Sequence, residues 1–319
     1  MKLEGIYTPV ITPFNDDYSV NEKALAEVIE HQITLGVHGV IVSGTTGESY
    51  ALTQEERVRC FHLGKEVIRR RVPFIAGIGA TRTEDVIELG VAARDAGADA
   101  ILLPAPAYAV PTQEELAQHC LAVDRAVNLP IILYNYPGRT GAMMGSDFLD
   151  YLSGNTNFCA IKETSGNVNR LHLLASEYGH MQLSCGWDDQ ALEFFAWGAR
   201  SWVGGAANCL LTEHIALYRA CVVENDLDKG RKIMAALLPF FQLLDDSGKY
   251  IQCVKHGCVL EGLATGPVRR PLQPMTPELQ QKMDTIWQTC KSTMQQIQAA
   301  EENEGVNSTA DETRIRGIG

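Results

Sequence analysis

The chain has 319 residues, 27 Lys and Arg against 39 Asp and Glu, a formal net charge of −12 and 45% apolar residues. Its length suits either two average domains or one α/β barrel, and these fractions exclude a disordered or fibrous chain. The acidic balance argues against nucleic acid and anionic membrane as partners, because both need a positive footprint.

Short β-branched runs recur along the chain, at Ile6–Ile11, Gly39–Val42, Pro73–Ala76, Ala100–Leu103, Ile131–Tyr134, Cys159–Ile161, Met181–Leu183 and Trp202–Val203. Each is too short for a helix, and each is followed by a Gly, Pro, Thr or Asn cluster. Helix-period stretches lie between them and carry start signals: Asn21, the capping box Thr53–Glu56, Thr83, and a second box at Thr112–Glu115. Further helices are expected from near Asp147, Asn167, Asp189 and Thr212, with Asp189 and Asn208 read as N-caps. Strand–helix alternation repeated eight times predicts an α/β fold, a (β/α)8 TIM barrel, over residues 1–224. A doubly wound open sheet is the alternative, but no Gly-x-Gly-x-x-Gly follows the first strand. Three more helices, Asp226–Leu244, Tyr250–Leu260 and Pro277–Ala299, predict a C-terminal extension over 225–300 packed on the barrel. Residues 301–319 are polar, acidic and without periodicity, and are expected to be an unstructured tail.

No stretch reaches the roughly 18 uninterrupted apolar residues of a membrane span. Met1–Gly5 runs into the first strand without the apolar core of a signal peptide, so a cytoplasmic protein is expected. The nine cysteines are scattered, with no Cys-x-x-Cys, and the eight histidines are equally dispersed. Free buried thiols and no protein-ligated metal are the expectation.

In barrel enzymes the chemistry sits at the carboxyl ends of the strands. After the second strand, Gly44-Thr45-Thr46-Gly47-Glu48 offers backbone N–H groups and two hydroxyls that suit a carboxylate, or a tight loop whose threonines cap something. Tyr134 ends the fifth strand, where it can pass protons or serve as a wall; Arg139 beyond it can clamp an anion or sit in solvent. The sharpest signal is Lys162, which follows the apolar run Phe158–Ile161 at the open end of the sixth strand. A lysine directed into an apolar barrel loses hydration of its ammonium form, so a neutral amine becomes available for a Schiff base; a snorkelling lysine has the same sequence signature. Gly186 and Gly204-Gly205 leave room at the ends of the last two strands.

Three segments, Gly44–Glu48, Tyr134-Asn135-x-Pro137-x-Arg139-Thr140-Gly141 and Ile161-Lys162-Glu163-x-x-Gly166-Asn167, resemble the dihydrodipicolinate synthase and N-acetylneuraminate lyase family of class I aldolases. The resemblance spans about Gly5 to Ala299. It implies that Lys162 forms an imine with pyruvate or another 2-oxo acid, with Tyr134 as proton shuttle. It implies that Thr45 and Thr46 bind the keto-acid carboxylate and relay protons, and that Tyr108 completes the relay from a neighbouring subunit. It further gives Arg139 the carboxylate of aspartate semialdehyde, and places Gly186 and Val203 beside the bound keto acid. A homotetramer of tight dimers is implied, and the imine takes the place of any metal or organic cofactor.

The sequence departs from the synthase pattern at Ala107, Thr81, Trp187 and the stretch Lys249–Lys255, which stands where synthases commonly have Asn-Pro-Ile-Pro-Val-Lys. Ala107 and Thr81 stand where lysine-inhibited synthases often have tyrosine and asparagine, so the sequence leaves feedback by lysine open. Arg139 favours condensation of pyruvate with aspartate semialdehyde to 4-hydroxy-tetrahydrodipicolinate. Trp187 and the altered stretch favour a catabolic aldolase, dehydratase or deaminase acting on a sugar-acid, sialic-acid or hydroxyproline-derived 2-oxo acid. A non-catalytic sensor barrel is the reading from another class, set against the intact Thr45, Tyr108, Tyr134 and Lys162.

Overall fold

The computed structural model describes residues 1–316, with side chains through residue 300; the tail expected over 301–319 lies outside the residues described in full. Eight parallel strands close into a barrel in chain order: β1 Gly5–Pro9, β2 Gly39–Val42, β3 Phe74–Gly77, β4 Ala100–Pro104, β5 Ile131–Asn135, β6 Phe158–Glu163, β7 Gln182–Cys185 and β8 Ser201–Val203. Closure is made by β1 against β8, with Gly5 paired to Ser201 and Tyr7 to Val203.

Strand parity sorts the side chains into two sets. Leu3, Tyr7, Ile41, Ile75, Leu102, Ile132, Tyr134, Ala160 and Val203 form an inner cluster that fills the barrel. Ile131, Leu133 and Ile161, one residue out of phase, join the larger cluster between barrel and helices. Lys162 has the parity of Ala160 and therefore shares the interior with Tyr134.

The helices of the barrel are α1 Glu22–Thr34, α2 Gln54–Ile68, α3 Thr83–Asp95, α4 Gln113–Val127, α5 Pro137–Thr140, α6 Ser146–Tyr151, α7 Val168–Glu177, α8 Ala191–Ala196 and α9 Ala207–Tyr218. Asn21 and Asn167 cap α1 and α7, and both expected capping boxes are present, at α2 and α4.

Four expected starts are corrected. Thr83 is the first residue of α3 rather than its cap, and its hydroxyl faces His119 Nδ1 at 2.9 Å. Asp189 lies in a one-turn 3-10 segment before α8, whose N-cap is Gln190. Asn208 lies inside α9: its Nδ2 donates to Pro9 O and its Oδ1 accepts from Ile11 N, which fastens the helix to the end of β1. The helix expected from Thr212 begins at Ala207 and departs from helical dihedrals at Leu210.

After a π-helical turn, Arg219–Val223, come α10 Leu227–Asp246, α11 Tyr250–Leu260 and α12 Pro277–Arg316. Asp226 caps α10 through a bond from Lys229 N. Both α10 and α11 pack against α9, and α12 lies against them. This places the N-terminus of α11 at the carboxyl ends of the strands. Among the described residues no helix is long and apolar enough to cross a membrane.

Candidate active site

Lys162 and Tyr134 are register partners on adjacent strands. The Lys162 ammonium group lies 4.1 Å from the centroid of the Tyr134 ring, and the lysine is only 6% exposed. Burial pulls its pKa down to about 8, against the attraction of Asp188 and Cys185. Burial also pushes the Tyr134 phenol up, a shift reinforced by Tyr136 and opposed by Arg139 and by a hydrogen bond with Thr45. At neutral pH, then, a lysine close to deprotonation faces a fully protonated tyrosine.

A cavity of about 50 Å³ surrounds them, lined among others by Thr45, Thr46, Arg139, Thr164, Gly186 and Trp187. Through Thr45, Tyr134, Tyr136 and Arg139 it joins a larger groove of about 760 Å³. The Arg139 guanidinium lies over the Tyr136 ring, 5.6 Å from its centroid, on the exposed rim. Gly186 has no room to be anything else. A Cβ there would stand 1.9 Å from Thr164 Oγ1 and 2.8 Å from both Cγ and Cε of Lys162.

Six of the residues singled out in the sequence thus meet at one place: Lys162, Tyr134, Thr45, Thr46, Arg139 and Gly186. Val203 does not reach the lining; it is packed in the barrel interior with Tyr134. Tyr108, in the loop between β4 and α4, is 95% exposed and stands apart from its own chain's cavity.

The structure adds a group that strand-end reasoning passed over. Asp188 is buried in the cavity, where Oδ1 accepts from Trp202 Nε1 at 2.9 Å and Oδ2 accepts from Ala206 N at 3.2 Å and Tyr250 OH at 3.1 Å. The Trp202 indole is held by stacking on His214, with ring centroids 4.0 Å apart. Burial raises the Asp188 pKa, while its hydrogen bonds and Lys162 lower it. Asp245, on the rim, is pushed up to about 7, first by desolvation and then by repulsion from Asp188, Asp189 and Asp246.

Asp245, Tyr250 and Ile251 come from α10 and α11, so the C-terminal helices wall the cavity as well as support the barrel. In sequence Asp188 is half of the doublet Asp188-Asp189, in which the cap position falls to the second member. Tyr250 stands in the sequence as the start of an expected helix and as part of the departure from the family motif, neither of which points to Asp188.

A pH dependence follows from the lysine. Its pKa is lowered, so the amine is protonated below about 8 and neutral above it. The logarithm of the rate of imine formation with pyruvate is expected to rise with pH up to about 8 and then level off. Borohydride trapping at fixed short times measures it; a flat profile through this range would show that the amine is already neutral.

A buried strand-end lysine beside a tyrosine, inside a (β/α)8 barrel with hydroxyl donors at hand, defines a lyase of the class I aldolase type. The comparisons with known proteins place it more closely. The profile described as the dihydrodipicolinate synthetase family matches residues 2–290. A 4-hydroxy-tetrahydrodipicolinate synthase of Bartonella bacilliformis is 34% identical over 291 residues, covering 90% of this chain and 97% of its own. One from Nitrobacter hamburgensis is 36% identical over 279 residues, covering 86% and 93%. Among solved structures, the 4-hydroxy-tetrahydrodipicolinate synthase of Methylacidiphilum fumariolicum SolV superposes with a TM-score of 0.88 at 32% identity, covering 93% of this chain and 99% of that one. YagE, a prophage protein of E. coli K12 solved in complex with pyruvate, gives 0.85 at 27% identity, covering 90% and 98%. The chain belongs to the dihydrodipicolinate synthetase family, whose members are pyruvate-dependent, Schiff-base-forming lyases.

Proposed function

We propose that Lys162 forms an imine with pyruvate or another 2-oxo acid and that the enzyme is a 4-hydroxy-tetrahydrodipicolinate synthase, joining pyruvate to aspartate semialdehyde. The observation that carries this reading is the Lys162 amine, with its pKa lowered to about 8, held 4.1 Å from the Tyr134 ring centroid in a shielded cavity. The names of the relatives supply the product, 4-hydroxy-tetrahydrodipicolinate.

Neutral Lys162 attacks the keto carbon. Tyr134 donates a proton to the departing oxygen, and water leaves. The protonated imine draws electrons from the neighbouring carbon, which loses a proton to become an enamine. That carbon attacks the aldehyde carbon, and the new alkoxide takes up a proton; the acceptor's own amine then adds to the imine carbon, closing the ring and expelling Lys162 as the free amine. Thr45 links Tyr134 to the keto-acid carboxylate, which Thr46 also binds, and Gly186 leaves space for the imine carbon. Tyr108, exposed on its own chain, serves the relay of a neighbouring copy in a cytoplasmic homotetramer. Residues 1–224 act as the barrel unit and 225–300 as its helical extension.

Incubation with pyruvate and borohydride tests the imine. The expected result is a mass increase on the peptide that contains Lys162; no adduct at any pH from 7 to about 10, above the lysine's pKa, would overturn the reading.

Arg139 is the cation on the rim that suits the acceptor's carboxylate. Arg139→Ala is expected to raise the KM for aspartate semialdehyde at least about tenfold while leaving imine formation with pyruvate intact. Steady-state kinetics alongside trapping would show it, and an unchanged acceptor KM would remove the assignment.

A second reading has a specific observation behind it. Asp188, Asp245 and Tyr250, with Trp187, give one wall of the cavity acidic and hydroxyl groups that suit a hydroxylated 2-oxo acid. A substrate panel assayed in both directions separates the two: turnover of sugar-acid or hydroxyproline-derived 2-oxo acids without condensation of aspartate semialdehyde selects the catabolic enzyme.

A further inference from the structure

The loop bearing Thr45 and Thr46 is strained at both ends. Ser43 and Glu48 each have φ of +55°, in the left-handed region that non-glycine residues avoid. Such conformations persist only where the surroundings over-determine them. At one end Gly77 accommodates the loop, since a Cβ there would stand 2.4 Å from Ser43 O. Toward the other end Thr12 Oγ1 donates to Gly47 O at 2.7 Å.

What holds Glu48 itself comes from far along the chain. Its side chain is 0% exposed, and Oε1 lies 2.7 Å from the ammonium group of Lys255 on α11, which is 3% exposed. Its Oε2 accepts from Arg269 N at 2.9 Å. Lys255 also donates to Pro267 O at 2.8 Å and lies over the Phe14 ring, 4.3 Å from its centroid. Arg269 adds bonds to Ala51 O and to the Glu56 carboxylate, one on each side of the N-cap of α2. Lys255, Pro267 and Arg269 are on the C-terminal extension, and Phe14, Ala51 and Glu56 are on the barrel segments they touch. A buried carboxylate with one buried cation is a geometric constraint: neither can move without leaving the other charged and alone.

We propose that Glu48, clamped by Lys255, is a positioning residue that sets the Thr45–Thr46 loop against Tyr134, so that the C-terminal helices form part of the catalytic apparatus. Glu48 is not among the residues that line the cavity, and it reaches Thr45 through the loop, its N–H donating to Thr45 O at 3.0 Å. This rests on the proposed roles of Thr45 and Thr46, because the loop matters only if those hydroxyls serve the keto acid.

The test uses pyruvate alone. In deuterium oxide the enamine exchanges the methyl protons of pyruvate, a reaction that needs the imine and the proton relay but no acceptor. Glu48→Gln and Lys255→Met are each expected to slow exchange about 10²-fold, the order of loss that misplacement by about 1 Å brings, and to raise the pyruvate concentration for half-saturation. Lys255→Arg, which keeps the charge, is expected to recover most of the rate. A merely structural role would lower thermal stability and leave the folded protein with wild-type exchange and half-saturation. That result, in either variant, overturns the proposal.

If the single variants fail to fold, the double variant Glu48→Gln/Lys255→Met leaves no lone buried charge and carries the same readout. Wild-type exchange in it would equally overturn the clamp. Absence of both imine and exchange in the wild-type protein would instead reject the proposed function, whatever Glu48 does.

Discussion

Lys162→Met is expected to abolish turnover, by at least about 10⁴-fold, while making the fold more stable. Both effects have one cause. The lysine's pKa falls from 10.5 to about 8 on burial, so at pH 7 folding must carry an ammonium group into a cavity that disfavours it. A difference of this size corresponds to about 3 kcal/mol. Some of that is returned through Asp188, which loses its cationic neighbour in the variant.

The sign of the pH dependence is fixed by the direction of the shift. Between about 8 and 10.5 the unfolded chain holds the proton and the native state does not, so this group's contribution to stability rises with pH. Below about 8 the penalty is present in full, and above 10.5 it vanishes. Thermal denaturation should therefore show Lys162→Met melting a few degrees above wild type at pH 7, with the gap closing toward pH 10. An inactive variant melting at or below the wild-type temperature at pH 7 would mean that the lysine is not strained by its burial.

Gly186→Ala is expected to lose about 10²-fold in turnover and about 1–3 kcal/mol in stability. The added methyl would lie 1.9 Å from Thr164 Oγ1 and 2.8 Å from Lys162 Cε. Thr164 and Lys162 are both buried, and the free space beside them is the cavity that the keto acid must occupy. The lysine must shift, and the arriving keto carbon loses its line of attack. Trapping rates and denaturant midpoints check the two parts separately, and wild-type kinetics would show that the β7 loop yields without cost.

The barrel was legible because its strands are short apolar runs that break at Gly, Thr or Asn, a rhythm set by local chemistry. Lys162, Tyr134 and the Thr45–Thr46 loop were legible because the open ends of parallel strands are where such groups can converge. Asp188 was not. In sequence it is one of two adjacent aspartates, and the indole of Trp202, the amide of Ala206 and the hydroxyl of Tyr250 distinguish it. Asn208 read as a cap because asparagine before a helix commonly is one, whereas here its amide spans the end of β1. Asp245 and Tyr250 belong to helices placed by packing on α9, and no local pattern reports that packing. Glu48 was read as the last residue of an anion-binding loop, yet its partners Lys255 and Arg269 lie beyond the barrel in sequence.

Closure of the barrel by β1 against β8 bears on how the chain is made. Gly5 finds its partner only when Ser201 is available, so on the ribosome the first strand waits for almost two hundred further residues. At about 5–20 residues per second that delay is about 10–40 s. Throughout it, one edge of β1, carrying Ile6 and Tyr7, offers unpaired backbone groups to any other strand in reach. Pairing with β2 and cover from α1 leave that single edge open. The rate of synthesis therefore sets how long that edge stays open.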